Sequence, residues 1–137
     1  YVYRLFNQQS GRYLFSSNET EIDIITGIGW YNEAVAYKSQ GEGGIGLHRF
    51  ALTDGSGHFY TSNTLEKVIL DQNSLYSYEG VAFQVYDQSS ADTVPIVRYL
   101  NTSSGVHLYS TSSYEQEILS ASSHWLYEGI AWYGEAV

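Results

Sequence analysis

Apolar and polar positions follow the same order three times along the chain. Each copy begins with a short apolar segment around an arginine, continues through a polar turn, and enters a second aromatic-rich segment. Aromatic and branched residues on both sides of a turn predict a β-hairpin. The arginines recur after 45 and then 49 residues, at Arg4, Arg49 and Arg98. The predicted strand pairs are Tyr3–Phe6 with Tyr13–Phe15, His48–Phe50 with His58–Tyr60, and Val97–Leu100 with His107–Tyr109.

After each hairpin the alternation gives way to a helical pattern. A capping residue is followed three positions later by a glutamate, as in a capping box, and apolar residues come next. The three boxes are Asn18 to Glu21, Asn63 to Glu66, and Ser112 to Glu115. We therefore predict one short helix per copy and assign these glutamates to capping. Gly27 and Gly29 are expected to end the first helix.

Each copy closes on a longer strand: Trp30–Tyr37, Tyr76–Phe83 and Trp125–Trp132. In the second copy, strand alternation places Glu79 and Val81 on one face and Gly80 and Ala82 on the other. Residues this small predict a face against which another backbone packs closely.

The repeat determines the predicted fold. One unit of this size cannot bury its apolar face alone, so three units must pack on one another. We predict one domain, residues 1–137, built from repeats at about 1–40, 46–87 and 95–137. The expected fold is mainly β with one short helix per repeat, in a closed, threefold pseudosymmetric, three-bladed propeller-like architecture, with a β-trefoil as the alternative. The glycine-rich stretch 41–46 is interpreted as a linker, because no βαβ unit surrounds it.

Composition narrows the class of function. Charged residues make up 15% of the chain against 16% aromatic, with 14 tyrosines, so the surface is largely uncharged and polar. Such tyrosine-rich surfaces are typical of recognition modules. The net charge of −9 excludes nucleic acid as the expected partner, because phosphate contacts require clustered Lys and Arg.

The sequence also bears on metal sites, membrane insertion and cellular location. There is no Cys, no calcium-loop motif and no His-x-x-x-His, so no metal or cofactor is predicted. No apolar stretch approaches a membrane span, so no membrane insertion is expected. A chain that lacks Met and starts at Tyr1 favours processing or excision from a larger protein, and hence a secreted or cell-surface location. Oligomerisation stays open.

The motifs Gly-x-His-x-Tyr-Ser/Thr and Trp-x-x-Glu-Gly-Ile-Ala-Trp resemble a repeat family of unassigned function from bacteria and fungi. In that family the repeat is commonly appended to secreted cell-wall hydrolases, lipases and surface proteins. The second and third repeats match best, whereas the first has Tyr13 for His, Phe15 for Tyr and Ala34 for Gly. The resemblance implies an accessory module directed at the envelope or at glycans, and it supplies no binding residues.

Two sets of side chains are candidates for a site. His58 with Tyr60, and His107 with Tyr109, share a strand face and could form a polar pocket with an aromatic rim, which suits sugars. Aromatic residues of the closing strands could supply a platform, and the closing-strand glutamates could pair with the arginines or bind ligand. The full set of predicted ligand-binding residues is His58, Tyr60, Tyr76, Glu79, His107, Tyr109, Trp125, Glu128, Tyr13, Trp30 and Glu33.

We therefore predict a non-catalytic carbohydrate-binding protein, a lectin or wall-glycan-binding module with two or three equivalent sites. Repetition suits avidity for a repetitive glycan. Catalysis is not expected, since an enzyme needs one acid and one base in different environments rather than repeated copies. The alternative is a protein-binding module or inhibitor that uses the same tyrosine-rich surface.

Overall fold

The computed structural model describes residues 1–39 and 44–137, which form nine strands and three helices. Each repeat contributes two strands, one helix and a longer third strand. The first repeat contains β1 (Val2–Asn7), β2 (Arg12–Ser16), α1 (Glu19–Gly27) and β3 (Tyr31–Tyr37). The second contains β4 (Ile45–Leu52), β5 (His58–Thr61), α2 (Thr64–Asp71) and β6 (Tyr76–Val85). The third contains β7 (Thr93–Asn101), β8 (His107–Ser110), α3 (Ser113–Ala121) and β9 (Trp125–Glu135). Half of the predicted linker at 41–46, residues 41–43, lies outside the described residues, and its last two residues belong to β4 rather than to a linker.

Each repeat forms its own antiparallel sheet. The first strand lies in the centre, with its hairpin partner on one side and the closing strand on the other, in the orders β2-β1-β3, β5-β4-β6 and β8-β7-β9. The mainly β, threefold architecture with one helix per repeat is therefore confirmed. Over residues 1–39 and 44–137 the three sheets form neither a closed barrel nor a propeller, so the finer description as a propeller or β-trefoil is not found.

The predicted helix starts are confirmed, but only one half of each capping box forms. Asn18, Asn63 and Ser112 accept a hydrogen bond from the backbone N–H three residues on. The N–H of each capping residue donates to a different partner, a hydroxyl two residues earlier on Ser16, Thr61 or Ser110. The glutamate side chains are thus not needed for the caps, and our assignment of them to capping is wrong in this respect.

A central core joins the three repeats. It takes equivalent positions from each sheet, and its inner residues Phe15, Tyr60 and Tyr109 meet ring to ring at 5.5–6.0 Å. The Tyr60 hydroxyl accepts from the N–H of Phe15 at 2.9 Å and donates to its carbonyl at 3.1 Å. The Tyr109 hydroxyl makes the same pair of bonds to Tyr60. Both tyrosines therefore bridge one repeat to the next.

Smaller apolar clusters lie between each sheet and its own helix. In the second repeat Phe50, Phe59 and Leu70 are buried together, and Tyr76 packs against them. Trp30 and Trp125 occupy the equivalent place in the other two repeats. The two faces of each sheet thus serve different purposes: one face builds the shared core and the other binds the helix.

The small residues of the closing strands have a different cause from the predicted one. Ala34, Gly80 and Gly129 have φ values of 118°, 96° and 96°, at the point where each closing strand shifts register. A Cβ added at Gly80 or Gly129 would meet nothing within 4 Å, so no backbone packs against them. Glycine is used there because its backbone adopts positive φ without strain.

Candidate functional site: three grooves between neighbouring repeats

A groove lies between the helix of each repeat and the closing strand of another. We name the grooves by these elements: the α1/β6 groove, the α2/β9 groove and the α3/β3 groove. Their volumes are about 170, 550 and 330 Å³ respectively. Sequence reasoning left open whether sites lie within or between repeats, and these three grooves lie between them.

Each groove contains one arginine and two glutamates, in an arrangement that links the repeats in a cycle. The arginine contacts the closing-strand glutamate of its own repeat and the helix glutamate of the preceding one. The sets are Arg49 with Glu79 and Glu21, Arg98 with Glu128 and Glu66, and Arg4 with Glu33 and Glu115. The last set joins the first repeat to the third, so the contacts close on themselves.

The bidentate partner of the arginine is the helix glutamate. Arg49 donates from both Nη atoms to Glu21 at 3.0 Å, and Arg4 donates to Glu115 at 2.8 Å. The closing-strand glutamate receives only the Nε bond, at 2.9 Å from Arg49 to Glu79. The closing-strand glutamates thus pair with the arginines, but through one nitrogen each, because in Arg4 and Arg49 the two terminal nitrogens turn toward the neighbouring helix.

The two bidentate pairs are partly buried, and they shift the pKa values of Arg4, Arg49, Glu21 and Glu115. Burial alone would lower the pKa of Arg4, but hydrogen bonds and charges from Glu115 and Glu33 outweigh it, and the pKa is raised. Burial alone would raise the pKa of Glu21, but the bonds from Arg49 outweigh it, and the pKa is lowered. Both members of a pair therefore stay charged over the neutral pH range.

The predicted histidines contact the closing-strand glutamates. His58 Nε2 lies 3.2 Å from Glu79 Oε1, and His107 Nε2 lies 3.0 Å from Glu128 Oε1. Burial lowers the pKa of both histidines, although the adjacent glutamates oppose it. In the first repeat Tyr13 takes the place of histidine and lies under the Arg4 guanidinium at 5.1 Å. A histidine–glutamate contact thus forms in the second and third repeats and not in the first.

Two of the predicted binding residues offer no surface to a ligand. Tyr60 and Tyr109 are each 1% exposed, and their hydroxyls are used by the backbone bridges of the core. Sequence alternation placed them on the same strand face as the histidines, but that face enters the shared core two residues further along. We exclude both from the candidate site.

The predicted aromatic platform also lies elsewhere. Trp30, Tyr76 and Trp125 are partly buried on the helix side of their sheets, in the smaller apolar clusters. Tyr76 makes edge contacts with Phe50 and Phe59 there. The structure therefore does not bring these aromatic rings together with the histidine–glutamate pairs.

Aliphatic side chains that sequence reasoning passed over line the widest groove. Leu65 and Ile69 of α2 face it from one wall and Ile130 of β9 from the other, and all three are about half exposed or more. The sequence of α2 could have indicated these residues. Its buried residue is Leu70, so the helix contains more apolar residues than its contact with the core requires.

Over residues 1–39 and 44–137, no cluster of three or more His, Asp or Glu side chains is placed to hold a metal ion. None of the helices described there is long and apolar enough to span a membrane.

The comparisons with known proteins give a family and no functional relative. Neither a curated protein nor a solved structure matches the chain significantly. One family model matches residues 1–135, which is nearly the entire chain. The chain therefore belongs to the family described as a domain of unknown function (DUF5648).

Proposed function

We propose that this chain is a non-catalytic carbohydrate-binding protein whose sites are grooves between repeats. The observation that carries the proposal is the composition of the grooves: fixed charged donors and acceptors at the base, with exposed aliphatic side chains on the wall of the widest. Sugars present hydroxyls and apolar C–H faces together, so they suit a surface that offers both.

The base of a groove has unused hydrogen-bonding capacity. Glu128 Oε1 accepts from Arg98 Nε at 3.0 Å and lies 3.0 Å from His107 Nε2, whereas its Oε2 contacts neither. Glu79 shows the same arrangement with Arg49 and His58. A carboxylate oxygen held in place by an arginine and a histidine is a preorganised acceptor for a ligand hydroxyl.

In the α1/β6 and α3/β3 grooves, the electrostatics argue against acid catalysis by the helix glutamates. A glycoside hydrolase needs one carboxylic acid with a raised pKa. Glu21 and Glu115 instead have lowered pKa values, because their arginine partners outweigh burial. Carboxylates held in this way act as hydrogen-bond acceptors rather than proton donors.

Several features of the wider proposal rest on the same arrangement. The cyclic ion pairs support a closed threefold ring, and a ring with several grooves suits a repetitive wall or cell-surface glycan. A secreted or surface location would expose the protein to such ligands. The low charge density of the groove walls and the net charge of −9 point away from polyanionic partners.

A protein-binding module is the second candidate. The observation in its favour is one isoleucine at the same exposed position of every helix: Ile24, Ile69 and Ile118 are 61%, 58% and 55% exposed. Exposed apolar residues on a helix face can dock on a partner protein. These side chains are spaced on three separate helices rather than gathered in one patch, which favours the glycan proposal.

A glycan array with the labelled chain tests the proposal, repeated with free monosaccharides as competitors. Binding to a coherent group of glycans that one sugar reverses would support it. Silence across an array that includes bacterial and fungal wall fragments would overturn it. His107→Ala adds a control on the fold: loss of binding at an unchanged melting temperature supports a ligand contact, and a large loss of stability supports a structural role.

A further inference from the structure

The three grooves differ in ways that matter for ligand binding. The α2/β9 groove, at about 550 Å³, is larger than the other two at about 330 and 170 Å³. Ligand pockets typically have volumes of about 300–1,000 Å³. The α2/β9 groove lies well inside this range, the α3/β3 groove lies at its lower limit, and the α1/β6 groove falls below it.

The arginine–glutamate pair at the base of the α2/β9 groove is longer than its equivalents and leaves polar atoms without a partner in the described part of the chain. Arg98 reaches Glu66 through a single contact of 3.5 Å, whereas the equivalent pairs make two bonds each at 2.8 or 3.0 Å. Within the described residues, Arg98 Nη2 donates to no protein acceptor, and Glu66 Oε2 accepts from no donor. A donor and an acceptor thus lie side by side without being used by the fold.

Arg98 is nevertheless held in place. Its Nε donates to Glu128 at 3.0 Å, and its guanidinium lies 4.8 Å from the centre of the Phe59 ring. The free Nη2 therefore has a fixed direction, and a ligand does not bear the entropic cost of ordering the side chain. In Arg4 and Arg49, by contrast, both Nη atoms donate to the helix glutamate.

The chemistry of the groove indicates the kind of sugar. Its exposed apolar wall consists of aliphatic residues, Leu65, Ile69 and Ile130, without an exposed aromatic ring on which a sugar face could stack. An acetamido group matches such a surface: its methyl suits the aliphatic wall, its carbonyl can accept from Arg98, and its N–H can donate to Glu66.

We infer that the α2/β9 groove is the one ligand site of the chain and that it binds an N-acetylated hexosamine through the acetamido group. This rests on the proposed function and makes it narrower: one site per chain in place of two or three equivalent ones. The α1/β6 and α3/β3 grooves then serve to hold the repeats together.

Isothermal titration with three oligosaccharides of the same backbone linkage tests the ligand. The probes are a β-1,4-linked N-acetylglucosamine tetramer, the deacetylated glucosamine tetramer and the plain glucose tetramer. We expect one tetramer per chain and binding at least about tenfold tighter for the acetylated probe, because loss of a matched hydrogen-bonding group from a ligand carries a penalty of this order.

Matched variants locate the site. Ile24, Ile69 and Ile118 are equivalent and similarly exposed, but only Ile69 lines its groove. We expect Ile69→Ala to weaken binding of the acetylated tetramer about tenfold, and Ile24→Ala and Ile118→Ala to leave it unchanged. All three side chains are exposed, so folding is expected to be preserved and is checked by the melting temperature.

The results distinguish failure of the single N-acetylhexosamine site from failure of carbohydrate binding in general. Three tetramers per chain, equal effects of the three alanine variants, or a preference for the glucose or glucosamine tetramer would overturn the inference and leave carbohydrate binding standing. Binding to none of the three probes, in a chain that also binds no glycan on the array, would overturn both.

Discussion

Three equivalent positions in the closing strands have positive φ, and Ala34 is the one that is not a glycine. Its φ of 118° lies in a region that residues with a Cβ rarely occupy, while the equivalent Gly80 and Gly129 occupy it freely. Such a conformation costs on the order of 1–3 kcal/mol in a non-glycine residue. Ala34→Gly removes this strain but adds about 0.5–1 kcal/mol of entropy to be lost on folding.

The balance is a gain of about 1 kcal/mol in the free energy of unfolding, or about 4 °C in melting temperature for a domain of this size. The hydrogen bond from the Ala34 N–H to Asn32 Oδ1, at 3.0 Å, is kept in the variant. The reciprocal changes Gly80→Ala and Gly129→Ala add about 1–3 kcal/mol of backbone strain, which the smaller entropy loss of alanine on folding offsets by about 0.5–1 kcal/mol. Since a Cβ at either glycine meets nothing within 4 Å, no steric clash adds to the net cost of about 1 kcal/mol.

Urea unfolding of all three variants measures these differences, with an unchanged slope showing that the two-state comparison is valid. The reasoning is refuted if Ala34→Gly is neutral or destabilising while Gly80→Ala and Gly129→Ala leave the midpoint where it was. That result would mean that the closing strands do not require positive φ at this position.

Three further predictions concern the core and the ion pairs. Tyr60→Phe leaves the N–H and carbonyl of Phe15 without partners, so we expect a loss of about 1–3 kcal/mol, measured by urea unfolding. Arg49→Gln breaks a partly buried bidentate pair with its helix glutamate and is expected to cost about 3 kcal/mol, seen in the same assay. The pKa values of His58 and His107 lie below 6.5 in the folded state mainly because of burial, so the unfolded chain binds more protons below that pH. Stability should therefore fall as the pH drops below about 6.5, and a melting temperature that stays constant or rises from pH 7 to pH 5 would contradict this.

The repeated units were accessible from the sequence because their signals are local. Alternating aromatic residues located the hairpin strands, and Asn18, Asn63 and Ser112 located the helix starts through their own short-range hydrogen bonds. Gly27 ends the first helix as expected. Each of these features depends on residues only a few positions apart, which a sequence pattern records directly.

What the sequence could not predict depends on contacts between repeats. Glu21 looked like a capping residue, but its partner is Arg49, 28 residues further along the chain. Tyr60 looked like a surface residue beside His58, but its hydroxyl bridges to the backbone of Phe15, 45 residues earlier. One strand face can hold both a buried and an accessible residue, and only the packing of neighbouring repeats determines which is which.

The number of binding sites that we propose differs from the number of repeats, and the reason lies in the three-dimensional structure of the grooves. The motif occurs three times, which predicted two or three equivalent sites. A longer contact at one ion pair, together with Leu65 where the other two repeats have Thr20 and Tyr114, distinguishes the α2/β9 groove from the others. Under our proposal, the repeated sequence motif maintains the fold in every copy, whereas one groove between two copies provides the binding surface.

Methyl NMR of the isoleucine-labelled chain during titration with the N-acetylglucosamine tetramer tests the central claim most directly. If a glycan binds in the α2/β9 groove, the methyl signals of Ile69 and Ile130 shift with the added ligand, and those of Ile24 and Ile118 stay in place. Unchanged signals throughout, or shifts confined to Ile24 and Ile118, would contradict the account.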